Sequence, residues 1–410
     1  MKRRAFLSAA AALGPLATAP VFSQDRGAGL HLKITGLKTF VVNVGSVNWV
    51  FVKIHTNQGL TGLGEGSVTS KEATIAEAIR EHERFLVGKD PTEIERLWQA
   101  MFRYPRWRGG PVLNSAISAV EIALWDILGK AVGLPIYRLL GGACRDRIRM
   151  YVHAGGQTPE EAAHNALAVR ERGYTALKWA PFEPRQNTIR ARDQVRRAVA
   201  RMEAQRKALG DDFDILIDAH GRLTPVVAAE ACQALEPLRP FFVEEPTQPE
   251  DLDTLAWLGA RTRVPLATGE RLFTKYGFAD LCARHLVSYV QPDVVHAGGI
   301  LECKKIAAIA EAHSIEVTLH NPQSEVSTLA SLHVDACTPN CVIQEMVENR
   351  APWIKDLFFG GALRIKNGYA ELPDRPGLGV DLDEKVAAQH PYKPVNRQNW
   401  TWEDGAAADS

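Results

Sequence analysis

The spacing of apolar and polar residues divides the chain into parts with different secondary structure. Residues 34–44 and 49–56 have the alternation of β-strands, and the turn Asn57-Gln58-Gly59 leads into a third short run at 60–65. Three helical patterns follow, at about 71–86, 91–102 and 112–131. Residues 31–148 therefore predict a small α+β domain.

From residue 149 onward, short apolar runs are separated by stretches with helical spacing. The predicted strands lie at 150–152, 176–178, 215–217, 241–243, 265–267, 289–291, 317–319 and 342–344. Strands that alternate with helices in this way are typical of a parallel α/β barrel, which we expect over residues 149–355. The remainder, 356–400, is rich in turn residues, and we expect it to return to the α+β domain.

The first 24 residues have the pattern of an export signal. Lys2, Arg3 and Arg4 form a basic start, residues 5–16 are apolar and rich in alanine, and Ala17-Thr18-Ala19 is typical of a cleavage site. The apolar run is shorter than the roughly 20 residues of a membrane helix, so no membrane association is predicted. The arginine pair favours the twin-arginine route over an ordinary secretory signal, and we expect a periplasmic or secreted protein.

Composition narrows the function classes. Hydrophobic residues make up 46% of the chain and charged residues 23%, which is typical of a globular protein. Lys and Arg together number 48, as do Asp and Glu, so the net charge is zero. A nucleic-acid partner is not expected, because binding to nucleic acid requires a basic surface.

Six consecutive predicted strands are each followed or ended by an ionisable residue. These residues are Asp218, Glu244, Glu270, Asp293, His320 and Glu345, spaced 23 to 27 positions apart. One such residue alone would be interpreted as a solvated loop start, but six in phase point to the C-terminal end of the barrel, where barrel active sites lie. The sequence therefore predicts an active site built from these side chains.

Three of these carboxylates predict a metal site. Asp218, Glu244 and Glu270 would repel one another at the same end of the barrel unless a cation lay between them. Oxygen ligands without cysteine select Mg²⁺, with Mn²⁺ as a substitute. Glu245 follows Glu244 directly and should point away from the ion, because neighbouring strand residues face opposite sides.

Two histidines are candidate acid–base groups. His220 lies two residues after Asp218, so its side chain should return to the same face. His320 and Asp293 end adjacent strands, and a carboxylate beside an imidazole fixes its tautomer and raises its basicity. Removal of an α-proton from a bound carboxylic acid would give an enediolate, which a cation stabilises. Glu345, if protonated, could donate a further hydrogen bond to the anionic oxygens.

Longer motifs make the chain similar to a known family. They are Arg108-Gly109-Gly110-Pro111, Ala123-Leu124-Trp125-Asp126, Asp218-Ala219-His220-Gly221-Arg222, Phe242-Val243-Glu244-Glu245-Pro246, Gly269-Glu270-Arg271, Gln291-Pro292-Asp293, His296-Ala297-Gly298-Gly299-Ile300, Gln344-Glu345 and Pro376-Gly377-Leu378-Gly379-Val380. With them the chain resembles the enolase superfamily, specifically its mandelate racemase-like branch and the galactonate dehydratases within it. This superfamily's use of a lysine or histidine base with magnesium is a general pattern.

The resemblance implies a fold, an activity and residue roles. The fold would be a modified (β/α)₈-type barrel, (β/α)₇β, with an N-terminal α+β capping domain, and the protein would be a homo-oligomer. The activity would be dehydration of a sugar acid to a 2-keto-3-deoxy acid. Asp218, Glu244 and Glu270 would bind magnesium, and His320 with Asp293 would take the α-proton. His220 would protonate the departing hydroxyl, and Glu345 would contact the substrate carboxylate.

Departures from the family patterns keep other functions open. Lys178 is followed by Trp179 and Ala180, whereas racemases of this branch have Lys-x-Lys there, so a racemase with a lysine and a histidine base is not expected. We expect Lys178 and Arg108 to contact the substrate. The alternatives are a cycloisomerase or epimerase with the same enediolate chemistry, and a non-catalytic sugar-acid binding protein. The His320–Asp293 pair argues against a binding protein, because binding alone does not require a base.

Overall fold

The computed structural model describes residues 30–182, 191–348, 351–361, 363–395 and 404–407. The predicted export signal at 1–24 lies outside the described residues, and export stays a prediction. The last positions of the predicted C-terminal segment, 396–400, also lie outside them.

The N-terminal part is an antiparallel sheet covered by helices. Its strands are β1 (Ile34–Asn43), β2 (Asn48–Thr56) and β3 (Thr61–Glu65), and its helices are α1 (Glu72–Leu86), α2 (Ile94–Arg103), α3 (Gly110–Val132) and α4 (Ile136–Leu139). The order β1-β2-β3 and the three longer helices agree with the sequence pattern. By length and composition α3 could cross a membrane, but 83% of its most apolar window is buried within the protein, as in a core helix.

Eight parallel strands follow and surround a common axis. They are β4 (Arg147–His153), β5 (Ala176–Trp179), β6 (Asp214–Asp218), β7 (Phe242–Glu244), β8 (Leu266–Thr268), β9 (Tyr289–Val290), β10 (Glu316–Val317) and β11 (Gln344–Met346). Hydrogen-bonded ladders run from β11 through β4 to β10. Between β10 and β11 the described residues form one parallel bridge, Val317 to Cys341, and no continuous ladder.

Seven α-helices alternate with these strands. They are α5 (Pro159–Glu171), α6 (Ala191–Leu209), α7 (Pro225–Leu235), α8 (Leu252–Gly259), α9 (Thr274–Ala283), α10 (Ile300–Ala312) and α11 (Glu325–Ala336). After β11 the described residues contain a 3₁₀ turn at Pro352–Asp356 but no eighth barrel helix. The architecture is thus the expected (β/α)₇β barrel with an N-terminal capping domain.

The sequence pattern placed the last barrel strand two residues too early. We expected it at 342–344, whereas β11 spans Gln344–Met346. The apolar residues Val342 and Ile343 suggested an earlier start, but the ladder with β4 begins only at Gln344, which pairs with Met150. Glu345 is therefore the middle residue of β11 and not the residue that follows the strand.

The C-terminal residues lie against both parts of the chain. They form β12 (Phe358–Phe359), β13 (Ile365–Lys366), β14 (Tyr369–Glu371), β15 (Asp381–Leu382) and α12 (Glu384–Gln389). β14 pairs antiparallel with β4 of the barrel. Pro391 forms a bridge to Val42 of β1, and Asn48 donates a hydrogen bond to the carbonyl of Lys393.

Candidate active site

The strands aim polar side chains into one end of the barrel because side chains alternate along each strand. An inward-facing cluster fills the barrel below the site: Tyr151, Ala176, Leu216, Phe242 and Ile343 are among its members. The residues two positions further along are His153, Lys178, Asp218, Glu244 and Glu345. Since alternation returns the side chain to the same face after two residues, these five line the C-terminal mouth.

Lys178 is the buried cation of this mouth. Its Nζ lies 2.9 Å and 3.1 Å from the two carboxylate oxygens of Glu244, 2.7 Å from Glu345 and 3.7 Å from Asp218. Its side chain is only 1% exposed. Burial lowers the pKa of Lys178, but the carboxylates of Glu244 and Glu345 outweigh burial and raise it well above its ordinary value. The site therefore holds a permanent ammonium among carboxylates.

Replacement of Lys178 by Met is expected to destabilise the metal-free protein by about 3–5 kcal/mol, because it leaves buried carboxylates without their cation. Burial raises the pKa of Glu244 to about 7, so the loss should be measured at a higher pH, by urea unfolding in the presence of a chelator. Lys38→Met is the control, because Lys38 pairs with Glu384 on the surface and such pairs contribute about 0–1 kcal/mol. Equal stabilities of the two variants would contradict this interpretation.

His320 and Asp293 form a hydrogen-bonded pair at the opposite side of the mouth. The Nδ1 of His320 lies 2.8 Å from the Oδ2 of Asp293, and the two residues form a parallel bridge. The backbone N–H of Val295 donates to the other oxygen of Asp293 at 2.7 Å and fixes the carboxylate. With Nδ1 engaged, Nε2 is the atom that faces the site, where it lies 2.6 Å from Glu270.

The neighbours of His320 favour its charged form. Burial lowers its pKa, but the carboxylates of Glu270 and Glu345 outweigh burial and raise it well above the ordinary value. A general base must be neutral before it accepts a proton. His320 therefore fits the role of base best when the charge of Glu270 is engaged by another cation.

His220 lies across the mouth from His320. It follows β6, which is four strands away from β10 in a ring of eight. Its backbone has φ 51°, a left-handed conformation that is strained for this residue type, and its N–H donates to Asp218 at 2.8 Å. Burial and the guanidinium of Arg222 lower the pKa of His220 to about 4. The imidazole is therefore neutral at pH 7 in the free protein.

The carboxylate cluster fits a divalent cation. Glu244, Glu270 and His320 each offer a ligand atom, and these atoms lie within 4.8 Å of one another. Asp218 is outside that compact group; burial raises its pKa, and the nearby charge of Glu270 raises it further. Four carboxylates (Asp218, Glu244, Glu270 and Glu345) stand against the ammonium of Lys178 and the imidazole of His320, so further positive charge would be stabilised there.

Glu245 is separated from this cluster. Both of its oxygens accept hydrogen bonds from the Nε of Arg271, at 3.2 Å and 2.9 Å, and the Nη2 of Arg271 lies 2.7 Å from one of these oxygens. Glu245 follows the last residue of β7 and has φ 40°, a left-handed backbone conformation. These contacts agree with the expectation that Glu245 points away from the site that Glu244 faces.

His153 is a site residue that the sequence analysis missed. It is the last residue of β4, pairs in register with Lys178, and its Nε2 contacts Glu345. It also lines a cavity of about 480 Å³ together with Lys178, Trp179, Phe182 and Arg222. The available signal was its position one residue after an apolar run, which is equivalent to the positions of Asp218, Glu244, His320 and Glu345.

Comparison with known families agrees with this geometry. The family "Mandelate racemase / muconate lactonizing enzyme, N-terminal domain" matches residues 31–141, and "Enolase C-terminal domain-like" matches residues 161–386. The chain belongs to the enolase superfamily.

Relatives in this superfamily carry dehydratase names. The D-galactonate dehydratases of Ralstonia pickettii (strain 12J) and Variovorax paradoxus (strain S110) are each 38% identical over 387 residues, which is 92% of this chain and 100% of theirs. Solved structures include an enolase of Pantoea ananatis with bound D-gluconate and Mg (32% identity, TM-score 0.86, 92% of this chain and 100% of that chain). A putative galactarate dehydratase of Agrobacterium radiobacter, with Na and L-malate bound, has 31% identity, TM-score 0.85 and the same coverage. The chain is thus an enzyme of the enolase superfamily, and its dehydratase relatives are consistent with a hydro-lyase.

The contacts of Glu345 in the free site favour its ionised form. A hydrogen bond donated by Glu345 to the anionic oxygens was expected only if its carboxyl is protonated. Burial raises its pKa, but Lys178, His320 and the hydrogen bond from His153 outweigh burial and lower it well below the ordinary value. Its Oε2 also accepts the N–H of Asn321 at 2.8 Å. Glu345 is therefore an ionised acceptor that joins three strand ends.

The expected substrate contact of Arg108 remains a prediction. Arg108 is exposed, and its guanidinium lies 5.3 Å from the centre of the Phe102 ring. It does not line the cavity described above. The neighbouring Trp107 is 80% exposed. The homo-oligomer implied by the family resemblance is likewise a prediction.

Proposed function

We propose that this enzyme is a Mg²⁺-dependent dehydratase of a sugar acid, an aldonic acid similar to galactonate or a related acid. It removes the α-proton, expels the β-hydroxyl as water and releases a 2-keto-3-deoxy acid. The observation that carries the proposal is the pair of histidines on opposite sides of a carboxylate-rich mouth, one of them bonded to Asp293 at 2.8 Å. The names of the relatives support the same reaction type.

Proton removal is assigned to His320. Asp293 accepts from Nδ1–H, so the proton from the substrate goes to Nε2. Glu244, Glu270 and Asp218 would hold Mg²⁺, which when bound supplies positive charge for the negative oxygens of the enediolate. Lys178 adds an ammonium in the same mouth and would pair with the substrate carboxylate. General acid–base help alone supplies about 10²–10⁴-fold, so this positive charge is an essential part of the proposal.

Proton delivery is assigned to His220. The C–O bond of the β-hydroxyl breaks, the oxygen takes a proton from the imidazole, and the resulting enol becomes the 2-keto acid. With a pKa of about 4, the imidazole of His220 carries almost no acidic proton at pH 7 and so has none to give to the leaving group. A bound substrate carboxylate would raise that pKa, because a nearby anion favours the imidazolium. His220 would thus become an acid only when a substrate is present.

Replacement of His220 by Asn is expected to separate the two halves of the reaction. Water loss should fall by about 10²–10⁴-fold, because the leaving hydroxyl loses its proton donor. Exchange of the α-proton with D₂O should continue, because His320 and Asp293 are unchanged. Both rates can be measured in one sample by proton NMR. Equal loss of exchange and of dehydration would count against the assignment of His220 as the acid.

The low pKa of His220 favours one alternative, an epimerase. A neutral imidazole opposite His320 has the protonation state of a second base, as an enzyme that inverts the α-carbon requires. Such an enzyme would return the α-hydrogen to either face and would release no water. Formation of a diastereomeric acid with deuterium at the α-carbon, without a 3-deoxy product, would establish this alternative.

A further inference from the structure

The two loops that carry Asp293 and His320 end on helices whose first turns are held by carboxylates of the capping domain. The loop after β9 leads into α10, and the loop after β10 leads into α11. Glu121 of α3 reaches the start of α10, and Glu65 at the end of β3 reaches the start of α11. Both glutamates are fully buried.

Glu65 holds the loop of His320 from outside the barrel. One oxygen accepts the hydroxyl of Ser324 at 2.5 Å and the N–H of Ser327 at 3.0 Å. The other accepts the hydroxyl of Ser67 at 2.7 Å, which ties the glutamate to its own domain. Ser324 is the N-cap of α11 and lies four residues after His320. Between them, the backbone N–H of Asn321 donates to Glu345 at 2.8 Å. The segment from Ser324 back to His320 is therefore held at both ends.

Glu121 holds the loop of Asp293 in the same manner. Its two oxygens accept the N–H groups of Ile300 and Leu301, both at 2.8 Å. Gly299 has φ 96°, and a Cβ there would lie 2.1 Å from the carboxylate, so the loop packs directly on Glu121. One helical turn earlier, the hydroxyl of Ser118 accepts the N–H of Gly298 at 3.0 Å.

Helix α3 also contacts Asp293 indirectly, through His296. The hydroxyl of Ser115 lies 3.0 Å from the Nδ1 of His296. The Nε2 of His296 lies 3.5 Å from the Oδ2 of Asp293, the same oxygen that bonds His320. Ser115, Ser118 and Glu121 are three residues apart and form one face of α3 against this loop.

We propose that Glu65 and Glu121 are positioning residues, through which the capping domain sets the geometry of the His320–Asp293 pair. The proposal rests on the proposed role of His320 as base. A base must lie within about 2.6–3.2 Å of the proton that it removes. A displacement of about 1 Å by a distant mutation can cost about 10²-fold in rate. Loss of the hydrogen bonds at the start of either helix should therefore displace the side chain of His320 or Asp293, because the loop between each residue and its helix is short and hydrogen-bonded.

The test compares Glu65→Gln and Glu121→Gln with Asp126→Asn. Asp126 is an equally buried carboxylate of α3, but it binds the N–H groups of Leu63 and Leu378 and touches neither loop. In the two glutamine variants, kcat and α-proton exchange should fall together by about 10–10²-fold, while KM changes by less than about threefold. Asp126→Asn should lose stability but keep kcat per folded molecule.

A second measurement does not depend on the substrate. The proton on Nδ1 of His320, shared with Asp293, should give a downfield proton NMR resonance in the full-length protein. We expect this resonance to shift or broaden in Glu65→Gln and to stay unchanged in Asp126→Asn. If the parent protein is inactive on every acid, the proposed function fails, and the resonance still decides the positioning role.

If Glu65→Gln does not fold, Ser324→Ala removes the same link from the loop side. Unchanged kcat and an unchanged resonance in a folded Glu65→Gln or Ser324→Ala protein would overturn the proposal. A rise in KM with kcat unchanged would also overturn it, because it would indicate a role in substrate binding.

Discussion

Replacement of His320 by Asn is expected to reduce turnover by about 10³-fold or more, with Mg²⁺ affinity changed by less than about threefold. Asn is similar in shape and can retain a hydrogen bond to Asp293, but it cannot accept the α-proton. Because His320 is the proposed base, α-proton exchange should be lost with turnover. Turnover and exchange are measured by proton NMR in D₂O, and Mg²⁺ binding is measured by calorimetric titration.

The same experiment decides whether His320 is instead a metal ligand. Its Nε2 belongs to the compact group with Glu244 and Glu270, so a ligand role is geometrically possible. Loss of Mg²⁺ binding in His320→Asn would assign it that role and contradict the mechanism. His313→Asn is a suitable control, because His313 follows α10 at the other end of the barrel. Full activity of His320→Asn would exclude His320 as the base.

Replacement of Glu270 by Gln is expected to weaken Mg²⁺ binding by more than the roughly 10–100-fold that loss of a supporting group typically costs. Gln keeps one oxygen in place but removes a negative charge from the proposed ligand set. Glu245→Gln is the matched control, because it makes the same change in a neighbouring carboxylate that is bound to Arg271. Calorimetric titration of both variants should show the loss only in Glu270→Gln. An unchanged affinity would remove Glu270 from the ligand set.

The strand-end residues could be predicted because alternation along a strand is a local property. Leu216 and Asp218, or Phe242 and Glu244, differ by two positions and therefore face the same side, whatever surrounds them. Strand limits were less certain. The apolar pair Val342 and Ile343 has strand character, yet the ladder starts at Gln344, because pairing depends on the partner strand β4.

The parts of the site that depend on long-range contacts could not be read from the sequence. The ionised state of Glu345 depends on Lys178 and His153, which are far from it in the chain. Glu65 and Ser324 are separated by 259 residues, and neither lies in a local pattern that names its partner. His153 was predictable in principle, but the end of β4 was placed at residue 152, one position too early.

Proton NMR of the full-length protein with Mg²⁺ in D₂O, against hexonic, pentonic and aldaric acids, tests the proposed dehydration most directly. We predict that one acid gives a 3-deoxy product that carries deuterium. Exchange of the α-proton without that product would contradict dehydration and favour an epimerase or cycloisomerase. No change in any acid would contradict the proposed reaction for all three substrate classes and would favour a sugar-acid binding protein.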